Sequence, residues 1–182
     1  MAGTGLKAES GKGPESHPAY RSLLGLAAWI GLCFLVAAIG AAASIDAGSF
    51  YAQLVRPGWA PPASVFGPVW TALYLLMAIA AWLVWRVHPR AFFALGLFIA
   101  QLVANGLWSW VFFKWHLGAL ATANVVVLWL LLLATLWAFW KKSRIAGALL
   151  VPYLLWVTFA SALTFTVWQL NPQFLGAATP SL

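Results

Sequence analysis

The side chains in this sequence that could do chemistry are indoles, phenols and amides, spaced along apolar runs. Within each run they recur three or four residues apart, the spacing that puts side chains on one helix face. They are Trp70 and Tyr74; Gln101, Asn105 and Trp108; and Trp156, whose face continues with the apolar residues Ala160 and Leu163. Amides in lipid cost free energy unless they are paired, so the face of Gln101 and Asn105 must turn inward. An aromatic interior with a few polar groups matches a pocket for a flat, mostly apolar ligand, and a plain packed core fits the pattern about as well.

Several other kinds of chemistry lack the residues that they need. The only acids are Glu9, Glu15 and Asp46, and none lies inside a long apolar run. Proton relays, ion pathways and paired-carboxylate catalysis depend on such groups. The single cysteine, Cys33, excludes an internal disulfide and a cysteine-based metal cluster. We therefore expect ligand binding without a metal site.

The elements that must position these residues are membrane helices. The chain has 182 residues, of which 64% are hydrophobic and only 7% are charged, whereas soluble domains carry about a quarter charged residues. Five apolar runs lie at roughly 22–44, 65–86, 91–113, 118–140 and 145–168. Each approaches or exceeds the ~20 residues that cross the hydrocarbon, and lipid demands helices. The sequence predicts an all-α, polytopic membrane protein with a bundle of five transmembrane helices.

The bundle occupies most of the chain. Residues 1–20 are rich in Gly, Ser, Lys and Glu, a composition typical of a disordered tail. The membrane domain is expected over 21–171, and 172–182 form a short C-terminal tail. The first apolar run begins late and has the length of a full span, which argues against a signal peptide.

The net charge of +7 is explained by orientation in the membrane and not by a nucleic-acid partner. The basic residues lie in the gaps between apolar runs and do not cluster on one face of a folded domain. The N-terminal tail and the second and fourth connections share one side. They hold Lys7, Lys12, Arg21, Arg86, Arg90, Lys141, Lys142 and Arg144. The opposite side holds only Arg56 and Lys114. The positive-inside rule puts the N-terminus in the cytoplasm and the C-terminus outside. This distribution of basic residues favours a bacterial inner membrane, although a protein of an organelle membrane would show a similar one.

The first connection is unusually stiff and aromatic, reading "RPGWAPPASVFGPVW" over residues 56–70. Prolines fix backbone angles and lower the entropy lost on ordering, and Trp59 adds apolar area that can contact the bundle. We expect a lid loop over a pocket, formed by Arg56, Pro57, Trp59, Pro61 and Pro62. A rigid connection with no ligand beneath it is the alternative.

Small residues mark a second face of the third run. Gly96, Ala100 and Ala104 form a small-xxx-small pattern that allows close helix approach. The face either packs within the bundle or forms the seam of a homodimer, and we favour the homodimer.

Five segments then resemble the translocator protein / tryptophan-rich sensory protein (TspO/MBR) family. They are "YAQLVRPGWAPP", "FGPVWTALY", "NGLWSWVFF", "WAFW" and "VPYLLWVTFASAL", in the family's order, and the similarity runs from about Arg21 to Asn171. The resemblance implies a five-helix membrane bundle, commonly dimeric. It also implies binding of porphyrins and other tetrapyrroles and, in some members, of cholesterol and drug-like ligands.

The resemblance also implies a set of pocket residues beneath the first loop. They are Tyr51, Trp70, Tyr74, Asn105, Trp108, Ser109, Trp156, Phe159, Ala160 and Leu163. Two departures matter. Asn124 stands where some relatives carry an acidic residue. Residues 164–169 lack the tyrosine and the basic residue of the proposed cholesterol-binding pattern, which is a weak pattern in any case. Sterol binding is therefore not supported.

The implied function is a tetrapyrrole sensor or regulator of tetrapyrrole metabolism or stress response, with porphyrin or haem as a ligand and no obligatory cofactor. Asn105 would hydrogen-bond a polar edge of the ligand, and Arg56 could pair with a propionate at the mouth. Two alternatives remain open. One is porphyrin degradation driven by light and oxygen, with Trp70 and Trp156 as candidate redox residues, and the other is passive transport of tetrapyrroles or small lipids.

Overall fold

The structure is a computed structural model that describes residues 19–88 and 90–176. Most of the predicted N-terminal tail, residues 1–18, and the last six residues of the predicted C-terminal tail lie outside the described residues.

The described chain folds into helices joined by short connections. The long helices are α1 (Ala19–Ala43), α3 (Phe66–Val87), α4 (Phe92–Ser109), α5 (Gly118–Lys142) and α6 (Arg144–Leu170). Two short helices are α2 (Ala47–Gln53) and α7 (Pro172–Leu175). A 3₁₀ turn over Ala63–Val65 leads into α3, and a π-helical segment over Trp110–Lys114 extends α4.

The predicted five-helix membrane fold is confirmed, since five helices among the described residues are long and apolar enough to span a bilayer. This is an integral multi-pass membrane protein. The predicted spans agree with the helices to within a few residues, and α6 continues through Pro152. The π-helical segment and the helices α2 and α7 were not predicted, because each is shorter than the pattern that periodicity can detect.

The five membrane helices form a closed ring in the order α1, α3, α6, α5, α4, with α4 packing back on α1. Glycines permit the closest approaches. An added Cβ at Gly25 of α1 would lie 2.2 Å from the Trp85 ring of α3, and one at Gly118 of α5 would lie 2.2 Å from the Trp168 ring of α6. These contacts hold helix pairs together at opposite ends of the bundle.

The packed core fills one half of the bundle more completely than the other. Towards the end where α1 begins, Phe98 stacks on Phe139 with ring centroids 5.8 Å apart and meets Trp29 edge-on at 5.6 Å. A smaller core lies at the opposite end, where Leu54, Val111 and Leu175 are buried. The candidate site lies between the two.

Candidate functional site: a cavity beneath the first loop

A cavity of about 620 Å³ lies within the end of the bundle that faces α2 and the first loop. All five long helices contribute to its wall, and α2 and the 3₁₀ turn contribute at the loop end. The volume falls in the range of small-molecule sites, which are concave and lined mainly by apolar side chains with a few polar groups.

Nine of the ten pocket residues expected from the sequence line this cavity. They are Tyr51, Trp70, Tyr74, Asn105, Trp108, Ser109, Trp156, Ala160 and Leu163. The tenth, Phe159, is outside the lining and lies between two indoles, with its ring 5.7 Å from Trp59 and 5.5 Å from Trp156. Phe159 therefore contacts the wall residue Trp156 without lining the cavity itself.

The cavity wall is built from aromatic pairs. Trp108 stacks on Phe112, with centroids 5.2 Å apart and planes 11° from parallel. Trp70 lies 5.8 Å from Tyr74, and Trp156 meets Phe66 edge-on at 5.9 Å. Each ring is therefore held in place by another ring, and such pairs add to the stabilisation from burial alone. A flat guest would meet faces that are already ordered.

A chain of buried hydrogen bonds closes the floor of the cavity. Tyr74 Oη donates to Asn105 Oδ1 at 2.5 Å, and Asn105 Nδ2 donates to Tyr153 Oη at 2.7 Å. Tyr153 Oη in turn donates to Gln101 Oε1 at 3.0 Å. The amide of Asn105 is thus engaged at both ends by tyrosines of α3 and α6. Asn105 thereby joins three helices, and its hydrogen bond to a ligand edge stays a prediction.

Two indole donors on the cavity wall have no hydrogen-bond partner among the described residues. They are the Nε1–H groups of Trp108 and Trp156, and both nitrogen atoms are buried. Buried donors in proteins are nearly always paired. Both residues line the cavity, and a ligand acceptor would reach these N–H groups once the rings turn to expose them.

The loop end of the cavity is covered by α2 and the lid loop. Tyr51 is buried, its hydroxyl donates to the carbonyl of Pro61 at 3.2 Å, and its ring meets Phe66 edge-on at 5.7 Å. The Arg56 guanidinium lies over the Tyr51 ring, 4.8 Å from its centroid. Burial raises the pKa of Tyr51 above its ordinary value of 10 although Arg56 acts in the opposite direction. The phenol therefore remains neutral near pH 7, with its hydroxyl hydrogen donated to Pro61.

The lid-loop residues themselves lie outside the cavity lining. Arg56, Pro57 and Pro62 border a separate shallow depression, and Trp59 is half exposed while its ring contacts Phe159. Arg56 reaches the cavity only through Tyr51. The lid role of the loop stays a prediction, and the lining residue that Arg56 contacts is Tyr51.

Asn171, which sequence reasoning did not single out, fastens this cover to the bundle. It is fully buried just after α6. Its Oδ1 accepts from the backbone N–H of Val55 at 2.7 Å, and its Nδ2 donates to the carbonyls of Val55 at 2.8 Å and Val167 at 2.7 Å. The one available signal was an asparagine directly before a proline at the end of an apolar run, where a helix stops.

The contribution of α1 to the wall was also missed. Its lining residues are Phe34, Ala37, Ala38, Gly40 and Ala41, and Ser44 lines the cavity from the turn after the helix. They are small apart from Phe34, so no aromatic or amide stripe drew attention to this face. Their small size leaves room for a ligand between α1 and the aromatic wall.

The small residues of the third run divide between surface and interior. Gly96 and Ala100 are exposed on α4, and an added Cβ at Gly96 would meet no atom within 4 Å. Ala104 is buried within the bundle. A partner helix could therefore contact the Gly96 end of this face, whereas Ala104 already packs inside one chain.

The cavity offers aromatic faces and hydrogen bonds and no histidine or cysteine among its lining residues. His116, on the α4–α5 connection, is exposed and stacks on Phe50 of α2 with centroids 4.2 Å apart. A guest in this cavity would therefore meet aromatic faces and hydrogen-bonding groups and no imidazole or thiolate of the lining.

The fold and the site define a class: integral membrane proteins in which five helices enclose a ligand-sized aromatic cavity beneath a fixed loop. The sequence assigns the chain within that class, because residues 29–169 match the model of the TspO/MBR family. The chain belongs to the TspO/MBR family.

Relatives come from bacteria, archaea and animals. The chain is similar to the tryptophan-rich protein TspO of Chlorobaculum tepidum, with 40% identity over 84% of this chain and 99% of the relative. It is 42% identical to the tryptophan-rich sensory protein of Cereibacter sphaeroides over 79% of this chain and 92% of the relative. The human translocator protein is 35% identical over 70% of this chain and 78% of the relative.

Proposed function

We propose that this protein binds a tetrapyrrole of the porphyrin or haem type in the cavity and acts as a sensor or regulator of tetrapyrrole metabolism or stress response. The observation that carries the proposal is the cavity of about 620 Å³ walled by Trp70, Trp108 and Trp156. Ordered ring faces favour a flat aromatic guest. The name of the Cereibacter relative, a tryptophan-rich sensory protein, is in keeping with a sensory role.

The polar groups are suited to a guest that is apolar over its faces and polar at its edge. The Trp108 and Trp156 N–H groups have no partner among the described residues, and a ring rotation on binding would let them donate to carboxylate oxygens. Tyr51 adds a phenol beneath Arg56 at the loop end. A porphyrin carrying two propionates has both kinds of surface. A sterol has no flat aromatic face, and its polar end is a single hydroxyl.

A second function, light-driven oxidative breakdown of bound porphyrin, is favoured by one observation. Trp70 and Trp156 both line the cavity, and their oxidisable indoles would lie beside a guest that absorbs light. Molecular oxygen would be the oxidant. Formation of a new chromophore by the purified protein under light and oxygen, faster than free porphyrin bleaches, would establish this activity; binding without turnover would leave the sensor function alone.

We also propose that the protein lies in a bacterial inner membrane with its N-terminus in the cytoplasm. Arg86 at the end of α3, Lys141 and Lys142 at the end of α5, and Arg144 at the start of α6 share one end of the bundle. Arg56 and Lys114 are at the other end. Reporter fusions to the two termini would test the orientation, and a reporter active outside at the N-terminus would contradict it.

The test of binding is a titration of purified protein in lipid nanodiscs with protoporphyrin, followed by the shift of the porphyrin absorption band. The Trp70→Ala, Trp156→Ala double variant removes two indole rings from the cavity wall and should weaken binding at least tenfold. The matched control is Trp115→Ala, Trp137→Ala, which removes two half-exposed indoles at helix ends. Equal binding by both variants and the unmodified protein would remove the proposed site.

A further inference from the structure

The exposed residues of the cavity wall all lie on one side of the bundle. On α1 and α2 they are Phe34, Ala38, Ala41 and Gly48, and on the 3₁₀ turn and α3 they are Ala63, Gly67 and Thr71. The lining residues contributed by α4, α5, α6 and the π-helical segment are buried or only partly exposed. The cavity is thus open between α1 and α3 and closed along the other helices.

The opening is bordered by two facing rows of mostly small side chains. Ala38 and Ala41 follow Phe34 at helical spacing on α1, and Gly67 and Thr71 are one turn apart on α3. An added Cβ at Gly67 would meet no atom within 4 Å, so this position faces open space. Phe34, with 37% of its surface exposed, is the one large side chain on this border.

The opening reaches well into the depth of the membrane. Phe34 lies nine residues before the end of α1, which at 1.5 Å per residue is roughly 14 Å along the helix. The hydrocarbon is about 30 Å thick, so Phe34 lies close to its middle and Ala41 close to the headgroups. The opening therefore faces acyl chains and lipid headgroups.

The loop end does not offer a comparable path. Tyr51 and Leu54 are buried there, and Asn171 binds the backbone of Val55 through both ends of its amide. Movement of the loop would break these hydrogen bonds. A guest can pass between α1 and α3 while all of them remain.

We propose that the cavity exchanges its ligand sideways with the bilayer, through the α1–α3 opening, and that Phe34 is its gate. The inference rests on the proposed function insofar as it needs a ligand in the cavity, and it narrows the ligand class. The ligand is a membrane-dissolved, flat amphiphile whose acid groups stay near the headgroups while its apolar part passes between the helices.

The opening can be tested by narrowing it and by removing its gate. Gly67→Trp puts a large ring into the open space on the border and should slow association and dissociation of bilayer-dissolved protoporphyrin at least tenfold, with Kd changed less than threefold. Phe34→Ala should speed both rates several-fold. The matched control is Gly31→Trp, an exposed α1 position where an added Cβ meets no atom within 4 Å and which does not line the cavity; it should leave the rates unchanged.

Stopped-flow mixing of porphyrin-loaded vesicles with proteoliposomes measures these rates. Equal slowing of both rates by Gly67→Trp, with acceleration by Phe34→Ala, supports the opening. Unchanged rates in both variants overturn it, and so does a loss of affinity in Gly67→Trp with an unchanged dissociation rate, because that pattern means only an obstructed binding site.

A second arm separates failure of the opening from failure of tetrapyrrole binding. An apolar diazirine dissolved in the bilayer is photolysed, and carbene insertion at Ala37 and Trp70, both on the cavity wall, is measured by mass spectrometry. Labelling that falls in Gly67→Trp and persists in Gly31→Trp supports the opening whether or not porphyrin binds. Labelling at these residues that is equal in the three proteins contradicts it.

Discussion

Asn171 and Val55 are 116 residues apart in sequence, yet the Asn171 amide pairs with both the N–H and the carbonyl of Val55. This pairing joins the end of α6 to the beginning of the lid loop. It fixes the start of the loop between α2 and α3 against the bundle. The same amide also caps the Val167 carbonyl, so one buried side chain ends a helix and holds the loop.

Removing this pairing should loosen the cover. Asn171→Ala leaves backbone groups of Val55 and Val167 without a partner, and each such group costs about 1–3 kcal/mol when buried. We expect a lower Tm in nanodiscs and faster proteolysis in the segment 54–62. Gln169→Ala, at an exposed position two residues earlier, is the control. A loop as resistant to protease as in the unmodified protein would show that the pairing does not hold it.

The Tyr74–Asn105–Tyr153 chain predicts unequal effects of two substitutions. Tyr74→Phe removes one interhelical hydrogen bond, which is worth about 1 kcal/mol in a membrane. Asn105→Leu should cost more, because it leaves the hydroxyls of Tyr74 and Tyr153 buried together without their shared partner. Thermal unfolding of the two variants measures the difference. Equal Tm values would mean that Asn105 does not join the helices.

The unpaired indole of Trp156 predicts a ligand hydrogen bond. Trp156→Phe keeps an aromatic face and removes the N–H donor, so binding of protoporphyrin should weaken about tenfold, the size of one hydrogen bond to a charged acceptor. Trp156→Phe should reduce the affinity for the dimethyl ester of protoporphyrin much less, because the ester lacks the carboxylates. If Trp156→Phe weakens the acid and the ester equally, the indole contributes shape and no hydrogen bond.

Sequence reasoning reached the long helices and most of the cavity because both leave strong local patterns. Apolar length specifies the helices, and aromatic or amide side chains at helical spacing, together with the family resemblance, mark the wall residues of α3, α4 and α6. The face of α1 could not be found in the same way, because Ala37, Gly40 and Ala41 are small residues of the kind that also occur at ordinary helix–helix contacts. Asn171 was missed because its partner Val55 is remote in sequence and is contacted through its backbone, which no side-chain pattern reveals.

The exposed small residues of α4 lead to a prediction about assembly. We expect a homodimer in which Gly96 and Ala100 contact a second copy, because small residues let membrane helices approach closely. Gly96→Leu should shift the protein towards monomer without unfolding it, since an added Cβ has open space around it in the single chain. Single-molecule counting or cross-linking in vesicles measures the change. An unchanged dimer fraction would place the interface elsewhere, and a protein that is monomeric throughout would exclude it.

The most direct test of the account is to fill the cavity. Ala160 lines it on α6, whereas Ala162, two residues later, is exposed and lies outside the lining. Equilibrium binding of protoporphyrin should be weakened at least a hundredfold by Ala160→Trp and changed less than threefold by Ala162→Trp, with similar Tm values for both. Binding that survives Ala160→Trp with unmodified affinity would show that the porphyrin does not occupy this cavity.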